Sequence, residues 1–236
     1  MTGITETGEP HSPAAVAPEE VAIVDDDAAL CDSLRWLLES VELPVRTYST
    51  GEALLEDLDP RIGCILLDVR MPGMSGLQVQ QRLNELQAPV AVLIMTGHGD
   101  VPMAVHTLKQ GAFDFIEKPF NDQQLIDAVQ QALDHTARRR QEQSLVAELR
   151  RRYEALRPKE KEILRLAALG YSNRAVAEEI GASAKTVEVY RLRGLRQMQA
   201  QDLAHWVRMA TALELLPPLH EQAAGKPQAG PGTGPA

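Results

Sequence analysis

Aromatic residues are scarce. The 236-residue chain has two Trp, four Tyr and three Phe, 4% in all. That is poor material for the stacked platforms that hold single-stranded nucleic acids. Cysteine is scarcer still. Cys31 and Cys64 cannot build a disulfide framework or a metal knuckle; both sit among apolar residues, as buried thiols do. No run approaches the roughly 20 apolar residues of a membrane span. Residues 1–18 have neither the basic stretch nor the apolar core of a signal peptide. These absences predict a soluble, cytoplasmic chain with no membrane partner. Basic charge is short as well. Against 33 Asp and Glu stand 24 Lys and Arg, a formal net charge of −9. Taken whole, that argues against a simple basic nucleic-acid binder.

What is present is unevenly spread. Residues 19–136 hold 20 acidic against 7 basic side chains, whereas residues 137–216 hold 10 acidic against 16 basic. Such asymmetry suggests two regions with separate jobs, the basic one facing a nucleic acid or another anion. The ends, 1–18 and 217–236, are low-complexity and rich in Pro, Gly or Ala; they are expected to be disordered tails.

Between residues 19 and 135, short apolar runs alternate with helical patterns. Val21–Val24, Cys64–Leu67, Val90–Met95 and Phe113–Ile116 read as strands, with Val45–Tyr48 as a weaker one. Leu30, Leu34, Leu37, Leu38 and Val41 recur at helical spacing, and further helices are expected over 52–58, 77–86, 102–110 and 121–133. Continuous apolar strands separated by helices predict a parallel sheet covered on both faces, an α/β doubly wound domain of five βα units. Thr136–Tyr153 contains no Pro or Gly and continues as a charged helical linker, placed at 136–155. Its arginine runs, 138–140 and 150–152, are either a solvated face or phosphate contacts. Residues 156–216 are purely helical, with breaks at Gly170, Gly181 and near Gln201.

In doubly wound sheets the site lies at the carboxyl ends of the strands. Four strand ends deliver polar residues there: Asp25 and Asp26, Asp68, Thr96 and Lys118. One strand-end Asp alone is ordinarily a loop starter or helix cap. Three carboxylates and a lysine converging on one edge form a hard oxygen cluster suited to Mg²⁺, which keeps waters and phosphate oxygens in its shell. A carboxylate in that setting can act as a nucleophile toward phosphorus, with Lys118 and Thr96 meeting phosphoryl oxygens.

IVDDD (23–27), LLDVRMPGMSG (66–76), MTGHGD (95–100) and FIEKPF (115–120) resemble the receiver domain of two-component response regulators over about residues 20–135. The resemblance implies that Asp68 is the phosphoacceptor, served by a sensor histidine kinase. It implies a Mg²⁺ site made by Asp25, Asp26, Asp68 and the backbone carbonyl of Arg70. Thr96 and Phe115 would be the switch pair, Lys118 the phosphate-pairing lysine, and Lys118–Pro119 a cis bond. Arg70 and His98 either tune dephosphorylation or are simply exposed loop residues.

In the helical module, Pro158 opens a helix with Ile163, Leu164, Ala167 and Ala168 on one face. Ser172 and Asn173 start a second with Val176, Ala177 and Ile180, and Ser183 a third with Val187, Leu195 and Met198 inward. As a bare pattern this is either a helix-turn-helix or another small bundle. The wording of residues 170–191, GYSNRAVAEEIGASAKTVEVYR, resembles the LuxR/NarL/FixJ-type DNA-binding domain. GHGDVPMAV and TVEV look closest to the FixJ branch, and tetrathionate-response regulators look similarly close.

Lys185, Thr186, Glu188, Val189, Arg191, Leu192, Arg193 and Arg196 are the candidate DNA-contacting residues. The basic ones would reach phosphates; Glu188 would accept from a cytosine amine unless it is merely solvated, and Val189 and Leu192 would touch thymine methyls. Three features depart from the family. Arg157 stands where Thr is usual and weakens a helix cap. Tyr190 replaces His. Gly194 lies inside the recognition helix at a cost of about 1 kcal/mol against Ala. The last helix, with Leu203, Trp206, Val207, Ala210 and Leu213, either helps dimerise the domain or only closes its core.

Together these readings predict a response regulator that is not an enzyme. Mg²⁺-dependent phosphorylation of Asp68 would favour a homodimer that binds double-stranded promoter DNA and acts with RNA polymerase on transcription. A haloacid-dehalogenase-type phosphatase would need a second Asp two residues after Asp68, where Arg70 stands. An RNA-binding antiterminator output is disfavoured by the helix-turn-helix spacing.

Overall fold

The computed structural model describes residues 19–97 and 108–217, which divide into two compact units at Arg140/Gln141. The low-complexity ends, His98 and most of the helix expected at 102–110 lie outside the described residues.

The first unit carries β1 (Glu20–Val24), α1 (Ala28–Glu39), β2 (Val45–Tyr48), α2 (Gly51–Glu56), β3 (Ile62–Asp68), α3 (Gly76–Glu85), β4 (Ala91–Thr96), β5 (Asp114–Glu117) and the start of α4 (Asp122–Glu154). All five strands are parallel, in the order β2-β1-β3-β4-β5. Side chains alternate across the sheet, as the two-residue period requires. Val21, Ile23, Cys64, Leu66, Leu93 and Met95 enter one core with Leu34, Leu38, Leu125 and Val129. Ala22, Val24, Ile65, Leu67, Val92 and Ile94 enter the other with Leu54, Val79 and Leu83. Both thiols are buried, and burial pushes the pKa of each above the ordinary cysteine value.

Helix starts are set by local acceptors. Asp27 Oδ1 takes the N–H groups of Ala29 and Leu30 at 3.0 and 3.1 Å, and Asn121 Oδ1 takes that of Gln123 at 2.9 Å. Val41, expected on the apolar face of α1, is instead exposed, because the helix ends at Glu39 and the chain leaves its register there. Residues expected to link the domains are engaged. The Thr136 hydroxyl is fully buried; it donates to the Gly63 carbonyl at 2.6 Å and accepts from the Ala91 N–H at 2.9 Å. The Arg140 guanidinium meets the Pro89 and Ile62 carbonyls and Glu19.

In the second unit, Val146, Leu149 and Tyr153 from the far end of α4 pack into a core with Leu156, Leu164, Leu195, Met198 and Trp206. Four helices follow: α5 (Pro158–Ala168), α6 (Asn173–Ile180), α7 (Ala184–Gln197) and α8 (Leu203–Ala212). Trp206 is fully buried, stacks on Tyr153 and donates its indole N–H to the Leu164 carbonyl at 2.8 Å. Gly194 leaves α7 unbroken. A Cβ there would fall 2.9 Å from Leu164 Cδ1, so the glycine lets α7 and α5 approach closely. At Arg157 the missing cap acceptor is partly offset: Glu160 of the first turn of α5 accepts the Arg157 backbone N–H at 2.9 Å.

Candidate functional site

The carboxyl ends of four adjacent strands build the first site. Asp25 follows β1, Asp68 ends β3, Thr96 ends β4, and Lys118 follows β5. Asp25 is buried; its Oδ1 accepts the Asp27 N–H at 2.9 Å, which fixes the carboxylate plane. Asp68 Oδ2 accepts the Arg70 N–H at 2.6 Å. The Lys118 ammonium donates to Asp25 Oδ2 at 2.7 Å and to Asp68 Oδ1 at 2.6 Å. Burial works against that ammonium. The bonds to Asp25 and Asp68 outweigh it and raise the Lys118 pKa above the ordinary lysine value.

The turn that aims the lysine has the cis Lys118–Pro119 bond, and the Lys118 N–H donates to the Thr96 carbonyl at 2.7 Å. Thr96 is buried, its hydroxyl meeting the Gly97 carbonyl at 3.3 Å. Asp26 and Arg70 are exposed. Phe115, on edge strand β5, is 36% exposed, while its neighbour Ile116 is buried. A cleft of about 140 Å³ opens beside Asp25 and Asp26, lined also by Cys31, Arg35 and Thr47.

Among the described residues, no three carboxylate, imidazole or thiol groups stand close enough to form a ready-made metal cage. Mg²⁺ does not need one, because it binds through one or two carboxylates and retains waters. Asp25 and Asp68 both reach a single ammonium, so the donor set suits a small hard cation.

In the second unit, α7 presents Lys185, Thr186, Glu188, Val189, Leu192, Arg193 and Arg196 to solvent. Val189 and Leu192 are 58% and 51% exposed, two apolar side chains three residues apart on one helix face. Two of the basic candidates have partners within the domain. Arg191 donates to Asn173 Oδ1 at 3.0 Å, and Arg193 pairs with the fully buried Glu160 carboxylate at 3.3 Å. Ser183 caps the helix through the Thr186 N–H at 3.1 Å.

Two family models match the chain: the response regulator receiver domain over residues 21–130 and the bacterial regulatory proteins of the luxR family over residues 154–210. Nodulation protein W of Bradyrhizobium diazoefficiens is 40% identical over 82% of this chain and 86% of its own length. The transcriptional regulatory protein FixJ of Azorhizobium caulinodans is 41% identical over 84% of this chain and 94% of its own. The chain belongs to the FixJ-like two-component response regulators. Among solved structures, the response regulator StyR superposes with a TM-score of 0.72 at 35% identity, covering 83% of this chain and 99% of that one.

As a response regulator, the chain has a receiver domain with the doubly wound fold and a LuxR-type DNA-binding domain, and its family is one of transcriptional regulators rather than classical enzymes. No helix among the described residues is long and apolar enough to cross a membrane. Sequence reasoning missed several residues that shape this regulator. Glu52 accepts the Met74 N–H at 2.9 Å in the loop after β3. Glu160 lies buried against α7, and Thr136 bridges two strands. None has a motif around it; each is a polar residue in a helical pattern, and only spacing in three dimensions reveals its partner.

Proposed function

We propose that the chain is a phosphorylation-controlled transcription factor in which Asp68 accepts a phosphoryl group from a sensor histidine kinase. The observation that carries this reading is the Lys118 ammonium held by Asp25 and Asp68 at 2.7 and 2.6 Å. The carboxylates of Asp68 and Asp25 and the ammonium of Lys118 thus meet at one strand edge, which supports the reading of Asp68 as the nucleophile. Mg²⁺, held by Asp25, Asp26, Asp68 and the Arg70 carbonyl, would supply the positive charge that lets a phosphate approach these carboxylates.

An Asp68 carboxylate oxygen forms the new bond to phosphorus. The P–N bond to the kinase imidazole breaks, and its electron pair stays on that nitrogen. The product carries about −1.5 to −2 charges. Lys118 then turns from a carboxylate partner to a phosphoryl oxygen, and the Thr96 hydroxyl to another. Thr96 leaves space at the end of β4, and Phe115 moves inward from its half-exposed position. That change alters the surface carrying β5 and favours a homodimer. Paired DNA-binding units then read double-stranded promoter DNA through α7. Lys185, Arg191, Arg193 and Arg196 serve phosphates; Thr186, Glu188, Val189 and Leu192 face base edges. The regulator acts in the cytoplasm, alongside RNA polymerase.

Acetyl phosphate with Mg²⁺ tests the reading. The wild-type chain gains one phosphoryl group and binds DNA selected from a random pool more tightly, whereas Asp68→Asn does neither. Equal modification of both chains would overturn it.

A further inference from the structure

We propose that Glu52 is a positioning residue for the phosphoacceptor site, fixing the Val69–Ser75 loop from which the Arg70 carbonyl is offered to Mg²⁺. The inference rests on the functional reading above and extends it to a residue outside the segments 23–27, 66–76, 95–100 and 115–120 that carry the receiver resemblance.

The loop between β3 and α3 has a demanding task. It starts one residue after Asp68 and must hold a backbone carbonyl steady near that carboxylate. Its upstream end is tied by the Arg70 N–H to Asp68 Oδ2 bond at 2.6 Å, and its two ends are joined by the Gly76 N–H to Val69 carbonyl bond at 3.1 Å. Its middle, Met71 to Met74, has no strand partner. There Glu52, in the first turn of α2, reaches across 22 residues of sequence and accepts the Met74 N–H at 2.9 Å. The fit is close. Gly73 has a φ of +79°, and a Cβ at that residue would fall 3.0 Å from Glu52 Oε1, so the loop backbone passes directly beside the carboxylate. On the preceding residue, a Cβ at Gly51 would fall 2.2 Å from Val79 of α3, so the start of α2 is pressed against the helix that follows the loop.

Groups that hold a metal ligand in place are worth about 10–100-fold in metal affinity when removed. The physical reason is preorganisation: a loop that must be ordered on binding loses conformational entropy at that moment, and one already ordered does not. Glu52 does not itself touch the metal in this proposal. It acts through the Met74 amide and the loop backbone, so an uncharged acceptor of the same length should serve as well.

The test uses the full chain and Mg²⁺ alone, titrated by calorimetry, with thermal melting as the control for folding. Glu52→Ala is expected to weaken Mg²⁺ binding by about tenfold. Glu52→Gln, which keeps an acceptor at the same reach, restores binding to within about twofold of wild type. Glu52→Asp withdraws the carboxylate by one methylene and behaves like the alanine variant. If Glu52→Ala does not fold, the comparison of Glu52→Asp with Glu52→Gln carries the same test. Unchanged affinity in the alanine or aspartate variant overturns the proposal, and so does a glutamine variant as weak as alanine, since charge and not the hydrogen bond would then be at work. A wild-type chain that takes up no Mg²⁺ overturns the functional reading itself; wild-type binding with an unaffected alanine variant overturns only the role of Glu52.

Discussion

Substituting Gly194 by Ala separates local helix propensity from packing, because the two predict opposite signs. In a helix interior Ala is favoured over Gly by about 1 kcal/mol. If α7 stood alone, Gly194→Ala would stabilise the second unit by that amount. The structure places the new methyl 2.9 Å from Leu164 Cδ1 and 3.1 Å from its Cγ. Leu164 is fully buried, so its side chain has no free space to turn into. Forcing an extra methyl into such a core costs about 1–3 kcal/mol. The net expectation is a loss of about 1 kcal/mol, which lowers the melting temperature of a unit this small by about 4–8 °C.

Tryptophan emission isolates the relevant transition. Trp206 is fully buried in the second unit, whereas Trp36 of the first is 76% exposed and should change little on unfolding. Leu164→Ala provides the second leg of a double-mutant cycle. It removes the atoms that meet the new methyl, so the double variant should be more stable than the sum of the single effects by about the 1–3 kcal/mol of the relieved clash. A Gly194→Ala variant more stable than wild type, or strict additivity in the cycle, would refute the close-packing argument.

Two further outcomes concern the first unit. Thr136→Val keeps the volume but strands the buried Gly63 carbonyl and Ala91 N–H; the first unit should lose about 2 kcal/mol. Hydrogen exchange at the Ala91 amide should accelerate, and unaltered exchange there would sink the bridging role. Side-chain and backbone hydrogen bonds from Arg61 hold the Asp59 carboxyl well below the usual aspartate range. A depressed folded pKa stabilises the fold above the ordinary aspartate pKa and loses that effect as pH falls toward the folded value. Asp59→Asn should therefore flatten the acid limb of the stability profile, and superimposable acid limbs for the two chains would contradict the pairing.

Much of the fold was legible because parallel strands buried on both faces must be continuously apolar, and β1, β3 and β4 each announce themselves that way. The ligand-bearing edge followed, since each apolar run stops at a polar residue: Asp25 and Asp26, Asp68 or Thr96. Lys118 was legible too, but not that it spends its charge on both Asp25 and Asp68, because that pairing spans 93 and 50 residues of sequence. On α7 the exposed face was readable from helical spacing. The engagement of Arg191 by Asn173 and of Arg193 by Glu160 was not, because those partners lie on α6 and α5.

Charge shows the same division. A net −9 conceals an acidic region and a basic one, and counting along the chain is enough to separate them. Apolar periodicity, strand-end carboxylates and cap residues are local or periodic properties, so the sequence alone determined the element order, the two-part organisation and the residues gathered at the strand edge. Whether Gly194 weakens its helix or permits two helices to meet was decided only by the tertiary structure. So was the use of Glu52 to hold a loop 22 residues away and of Thr136 to bridge β3 and β4. Each depends on which atoms lie within about 3 Å across long stretches of chain, a distance that no local pattern encodes.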